Sequence, residues 1–151
     1  VAEYTIEPMT EDDLDAVLAI EKESFTAPWS RRMFESELRG NPFSRSFVAR
    51  AHGQPALVGY ICYWVVFEEL HLLNLAVHPD RRRRGLGAHL VRWALANGEK
   101  EGVRLAALEV RASNDSARRL YERLGFVLTV TRPGYYRDPV EDAWIMTLKK
   151  S

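Results

Sequence analysis

A single cysteine, Cys62, stands in the 151 residues. That excludes an internal disulfide framework and fits a reducing compartment. Neither charge is in surplus, because Lys+Arg and Asp+Glu both total 21. General nucleic-acid binders carry a basic excess, so direct contact with nucleic acid is not expected. No apolar run approaches the ~20 residues that span a bilayer. The opening VAEYTIEPMTEDD is acidic and lacks the apolar core of a signal peptide. Together these absences predict a cytoplasmic protein without a membrane partner. What is present is ordinary for a globule, 46% apolar and 28% charged residues, at the length of one domain. No repeat, low-complexity tract or linker divides it, so residues 1–151 are expected to form a single domain.

Period and punctuation give an element order. YTIEP (4–8) alternates like a short strand, and Thr10 followed by EDD resembles a helix cap with acids in the first turn. Leu14, Val17, Leu18 and Phe25 follow at roughly helical spacing, Pro28 ends that region, and Ser30 can cap a second short helix. RSFVARA (45–51) is strand-like, HGQP (52–55) a turn, and ALVGYICYWVVF (56–67) a buried strand rich in β-branched and aromatic residues. ELHLLNLAV (69–77) is a further strand. From Gly85 to about Glu101, Leu86, Leu90, Trp93, Ala94 and Asn97 share a helical face. RLAALEV (104–110) returns to strand. Asn114 or Asp115 can then cap a helix burying Ala117, Leu120, Tyr121 and Leu124, with Gly125 as its stop. FVLTVT (126–131) and AWIMTL (143–148) close the chain around a Gly134-containing turn region. The order β-α-α-β-β-β-α-β-α-β-β predicts a mixed α/β sheet covered by helices.

The stretch RRRRGLG (81–87) lies between a strand and a helix. The first N–H groups of a helix have no internal partner and sit at the positive end of its dipole, which makes an anion site. Gly85 and Gly87 remove side chains that would hold a phosphate away, and the arginines upstream add charge-assisted contacts. The reading is a pyrophosphate cradle; the alternative is a glycine-capped turn with a solvated arginine run. A P-loop would need Lys-Ser/Thr after the last glycine, where this chain has Ala88-His89. A dinucleotide fingerprint would need a third glycine at position 90, which is leucine.

Arg82-x-x-Gly85-x-Gly87 resembles the Arg/Gln-x-x-Gly-x-Gly/Ala loop of the GNAT N-acetyltransferases. LLNLAVHPDRRRRGLGAHLV and LEVRASNDSARRLYERLGF are similar to further segments of that superfamily. APWS (27–30), LEVRASN (108–114), Tyr135-Tyr136 and EDAWIM (141–146) resemble its RimI-type protein N-terminal acetyltransferases. The resemblance implies the GNAT fold, a mostly antiparallel twisted sheet of about seven strands flanked by about four helices. It also implies acetyl-CoA as cosubstrate, held by Leu75, Ala76, Val77, Arg82, Arg83, Arg84, Gly85, Leu86, Gly87, Ala88 and Asn114. Val77 N–H would face the thioester oxygen. The implied acceptor is a protein N-terminus, a small-subunit ribosomal protein in the RimI type. His78 and an arginine-only loop depart from the usual bacterial pattern.

Acetyl transfer needs a neutral amine, a polarised carbonyl and a proton for the leaving thiolate. It needs no metal, and His52, His71, His78 and His89 show no ligand spacing. Cys62 sits in an apolar strand and reads as core rather than nucleophile. Glu109 interrupts an apolar strand; burial would raise its pKa and suit it to accept a proton, or it pairs with Arg111 on the same strand face. The resemblance implies Glu109 as general base. Tyr121 reads from its pattern as a core tyrosine, and the resemblance implies a general acid beside the sulfur. Asn114 reads equally as a cap. Glu68, Glu69, Tyr135, Tyr136 and Glu141 are candidates for the acceptor groove from the resemblance, against surface acids and a packed aromatic pair. An α-amine, with pKa ~7.7–8.0 against ~10.4 for lysine, suits a carboxylate base. A lysine or small-amine acetyltransferase, or a non-catalytic coenzyme A- or nucleic-acid-binding module, are the competing functions. A monomer or weak dimer is expected.

Overall fold

The computed structural model describes residues 4–52 and 56–150. Along the chain run β1 (Tyr4–Pro8), α1 (Leu14–Ser24), α2 (Arg31–Leu38), β2 (Ser44–Ala51), β3 (Leu57–Val66) and β4 (Glu69–Val77). They are followed by α3 (Leu86–Lys100), β5 (Leu105–Arg111), α4 (Asp115–Arg123), β6 (Val127–Arg137) and β7 (Val140–Lys149). This is the order expected from the sequence. The strands form one sheet, β1-β2-β3-β4-β5-β7-β6. Every neighbouring pair is antiparallel except β4 and β5, which α3 joins as a crossover. The result is the mostly antiparallel, helix-flanked sheet of the GNAT fold. The turn expected at 52–55 lies, apart from His52, outside the described residues.

The helix starts form where short polar side chains can take up free N–H groups. Thr10 N–H donates to Asp13 Oδ2 at 2.9 Å, after which a short 3-10 turn leads into α1. Ser30 Oγ accepts from Met33 N–H at 3.3 Å at the head of α2, and Asn114 Oδ1 from Ala117 N–H at 3.2 Å at the head of α4. One sheet face packs on α3 and α4 through Leu72, Leu90, Ala106, Leu108 and Phe126. The other packs on α1 and α2 through Leu14, Val17, Phe34 and Tyr60. Leu86, Leu90, Val91, Ala94 and Gly98 are the buried face of α3. Trp93 is only half-buried at its margin, edge-on to Phe47 with ring centres 4.3 Å apart.

The chain does not reverse at Gly134. β6 continues through it to Arg137, and the reversal comes at Asp138-Pro139. The register between β6 and β7 slips between Arg132 and Tyr136. Gly134 supplies the positive φ of +61° inside that slip, where its N–H donates to Asp142 Oδ1 at 2.9 Å. The glycine serves a bulge within a strand, not a chain reversal.

Candidate active site

β4 and β5 pair only where Glu69–Leu72 lie beside Leu105–Leu108. Beyond Leu72 they part. The cause lies on the other side of β4, where Tyr63 pairs with Leu72 but Cys62 pairs with Asn74, leaving Leu73 as a bulge. The extra residue flips the phase. Leu70 and Leu72 face α3 before it, Leu75 and Val77 face α3 after it, and Asn74 is turned to the opposite side. Two parallel strands that separate at their carboxyl ends leave a crevice between them, the usual ligand position of α/β sheets. Leu75, Ala76 and Val77 form one wall and present backbone groups that β5 does not pair.

The loop after β4 delivers α3 to the mouth of this crevice. Gly85 caps α3 with φ +81°, next but one to Arg83 at φ +64°. The first helical bond runs from His89 N–H to Gly85 O, so the N–H groups of Leu86, Gly87 and Ala88 remain without helical partners. A Cβ on Gly85 would meet nothing within 4 Å, whereas one on Gly87 would point at Leu120 and Val77, 3.6 and 3.9 Å away. The two glycines therefore differ. Gly85 is needed for its backbone conformation, and Gly87 is closely backed by side chains rather than standing before an open site. The arginines differ too. Arg82 donates from Nε to Val77 O at 3.0 Å and from Nη2 to Ser24 Oγ at 2.9 Å. The side chains of Arg83 and Arg84 are exposed and make no ion pair or hydrogen bond among the described residues.

On β5 the period of two sends Ala106, Leu108 and Val110 to the α3–α4 core and Glu109 and Arg111 to the other face. Glu109 pairs with His71 of β4, Nε2 to Oε2 at 2.7 Å. This hydrogen bond is the main reason the imidazole pKa is raised above histidine's ordinary 6.5, against a smaller opposing effect of burial. Arg111, the alternative partner of Glu109, is engaged elsewhere. It donates to Pro139 O at 2.9 Å and Asp138 O at 3.3 Å, reaches Glu141 Oε1 at 3.3 Å, and lies 4.3 Å from the centre of the Tyr136 ring. Glu141 also accepts from Ser113 N–H at 2.6 Å. Bonds from Ser113 and the charge of Arg111 hold its carboxyl below the usual range. The β6–β7 hairpin is thus strapped to the end of β5, with Tyr135 and Tyr136 edge to face at 5.1 Å.

Tyr121 of α4 is buried, edge-on to Phe126. Its hydroxyl has no hydrogen-bond partner among the described residues. Burial, with the neighbouring Tyr136, lifts its pKa well above the ordinary 10. Burial and the charge of Glu109 push Tyr136 up to about 12. Tyr136 is thus the electrostatic neighbour of both Glu109 and Tyr121. Glu68 and Glu69 stand at the other end of β4, about 25 Å along the strand from Val77. Glu68 O accepts from the N–H groups of Arg104 and Leu105, and Glu69 reaches the site only through its field at His71.

The model of the acetyltransferase (GNAT) family matches residues 14–126. The chain belongs to the GNAT acetyltransferase family. It is 40% identical over 146 residues to the [ribosomal protein bS18]-alanine N-acetyltransferase of Escherichia coli K12, covering 95% of this chain and 96% of that protein. The crystal structure of the ribosomal-protein-S18-alanine N-acetyltransferase from Escherichia coli superposes with a TM-score of 0.86 at 37% identity, over 98% of this chain and 94% of that one. That of Ard1 from Thermoplasma volcanium gives 0.88 at 29% identity, over 99% of both.

In this GNAT enzyme Leu75–Val77 border the parted strands, Gly85 begins α3, Glu109 projects beside His71, Tyr121 is buried on α4, and Tyr135 and Tyr136 sit on the β6–β7 hairpin. Local pattern does not single out His71. The available signal was a histidine within an apolar strand, but its partner depends on the register of β4 against β5, where His71 lies beside Ala107, two residues before Glu109. The shared strand face left Arg111 as an alternative partner for Glu109. The hairpin that claims it comes from 27 residues further along the chain. Asn114 is a cap, as its pattern allowed. Cys62 is fully buried and its thiol is pushed up to about 12 by burial, as suits a core residue.

Proposed function

We propose that this chain, acting as one acetyltransferase domain, moves acetyl from acetyl-CoA to the N-terminal α-amine of a protein, with a small-subunit ribosomal protein as acceptor. The observation that carries the reading is the crevice itself, where open N–H groups start α3 and an edge that β5 does not pair runs along Leu75–Val77. Glu109 and Tyr121, on opposite sides of β5, are read as serving it. The N–H groups of Leu86, Gly87 and Ala88 suit a diphosphate, with Arg83 and Arg84 free to add charge. The extended edge suits the pantetheine amides, and Asn114 at the head of α4 stands at the same end of the crevice. Acetyl-CoA supplies an activated acyl group.

Glu109, paired with His71, takes the proton of the ammonium so that the neutral amine attacks. Tyr121 remains a phenol across the working pH range and returns a proton to the departing thiolate. Val77 N–H donates to the carbonyl oxygen as it gains charge. Tyr135, Tyr136 and Glu141, on the strapped hairpin, line the acceptor side, with Glu69 acting at a distance through His71. Roughly a tenth of α-amines are already neutral near pH 7, whereas lysine is almost wholly charged, so a carboxylate–imidazole pair suffices for the former.

The names of the relatives, which specify bS18 and its alanine, support the same acceptor class. No helix among the described residues is long and apolar enough to cross a membrane. A ribosomal acceptor places the enzyme in the cytoplasm. The reading needs no direct nucleic-acid contact. A monomer or weak dimer serves it, with Val127, Leu128 and Val130 exposed on the edge strand β6. Mass spectrometry of two peptides tests it, one beginning with a free alanine and one blocked there but carrying lysine. Acetyl is expected on the first α-amine; transfer to lysine alone rejects the reading.

A further inference from the structure

Glu21, in the last turns of α1, is 1% exposed, yet it forms no ion pair among the described residues. Its partners are three neutral donors from three different parts of the chain. Trp29 N–H donates to Oε2 at 2.8 Å, Asn74 Nδ2 to Oε1 at 2.9 Å, and the Tyr60 hydroxyl also to Oε1. Burial and the charge of Glu21 raise the Tyr60 pKa far above its ordinary value, so it stays a donor.

Arg82 is the nearby cation, felt at Tyr60 but bonded to Ser24 and Val77 rather than to Glu21. A buried carboxylate to which no cation is bonded is costly, and an apolar replacement of similar volume is often neutral or stabilising. The surroundings, Val17, Ile20, Phe34 and Cys62, would accept leucine. What leucine cannot do is fix three donors relative to one another. Asn74 follows the bulge at which β4 leaves β5, and Trp29 belongs to the segment joining α1 to α2. That segment borders the sheet face onto which His71 and Glu109 project. Trp64 ties α2, which follows that segment, to the same face, donating to Glu37 at 2.7 Å and standing edge-on to His71.

We propose that Glu21 is a positioning residue that sets the 25–30 segment against the parted end of β4, and thereby the entry of the acceptor amine toward Glu109. This rests on the acceptor reading given above. Glutamine at position 21 preserves the device. Its carbonyl can accept from Trp29 while the Tyr60 hydroxyl and the Asn74 amide turn to accept from its NH₂. Leucine abolishes it.

The test compares Glu21→Leu and Glu21→Gln in the full chain by hydrogen exchange, acetyl-CoA affinity and steady-state kinetics with the alanine peptide. Glu21→Leu is expected to speed exchange at 25–30 but not at 85–90, and to raise peptide KM about tenfold with acetyl-CoA Kd within about twofold. Glu21→Gln is expected to stay within about threefold of the parent in each. Parent-like exchange and KM in Glu21→Leu, or equal losses in both variants, overturn the proposal. Should Glu21→Leu fail to fold, Asn74→Ala carries the test, faster exchange at 25–30 with a raised peptide KM supporting it and no change overturning it. A parent enzyme that acetylates no α-amine sinks the acceptor reading instead, and the exchange comparison still decides the role of Glu21.

Discussion

His71, inside the paired stretch of β4, and Glu109, one residue past the last pair on β5, meet at 2.7 Å across the two parallel strands. The contact lies at the end of the paired part of β4 and β5, beside the crevice that the Leu73 bulge opens. A carboxylate held there cannot be replaced by its amide without loss of basicity. Glu109→Gln is expected to lower turnover about 10²- to 10³-fold, with acetyl-CoA affinity within about twofold. Stopped-flow turnover and calorimetry together check both halves.

The same contact has a pH signature. The imidazole pKa is raised in the folded state, so the native protein binds this proton more tightly than the unfolded chain. The pair's contribution to stability is therefore complete below histidine's ordinary pKa of ~6.5 and fades as pH rises through the folded value. The Tm difference between the parent and His71→Asn should shrink from pH 6 to pH 9. The acid limb of kcat/KM should lie above ~6.5 in the parent and move down in the variant.

Among the described residues the Tyr121 hydroxyl has no hydrogen bond to lose, so Tyr121→Phe should leave Tm within about 1–2 °C. Turnover should nonetheless fall roughly 10²-fold if the phenol protonates the thiolate. Measured turnover equal to the parent's would remove the hydroxyl from the reaction.

The two glycines at the start of α3 should separate cleanly. Gly85→Ala puts a side chain at φ +81° in open space, so it costs about 1–2 kcal/mol of backbone strain without a clash and weakens acetyl-CoA binding. Gly87→Ala places a methyl at ordinary contact distance from Leu120 and Val77 and should keep both Tm and acetyl-CoA affinity. Thermal melts and calorimetry on the pair distinguish a conformational need from a spatial one.

Arg111 holds the β6–β7 hairpin through two carbonyls, Glu141 and the Tyr136 ring. Arg111→Ala should accelerate hydrogen exchange across 133–141 and raise peptide KM several-fold, with acetyl-CoA Kd little changed. Unchanged exchange would mean that the hairpin holds itself in place.

Local pattern alone determined the element order, the caps at Ser30 and Asn114, the start of α3 at Gly85 and the odd placement of a carboxylate at position 109. Periodicity, side-chain hydrogen bonding to nearby N–H groups and the need for φ > 0 all act within a few residues and leave their mark in consecutive letters. Glu21 left a faint mark of this kind, an acid between Leu14, Val17 and Leu18 and the following Phe25 on the apolar stripe of α1. The tertiary structure decided what depends on register between distant segments. The bulge at Leu73 turns the walls of the crevice, His71 rather than Arg111 meets Glu109, and Gly134 bends a strand instead of ending one. One residue of slip in a strand sends every later side chain to the other face, so such pairings are settled only when the whole sheet closes.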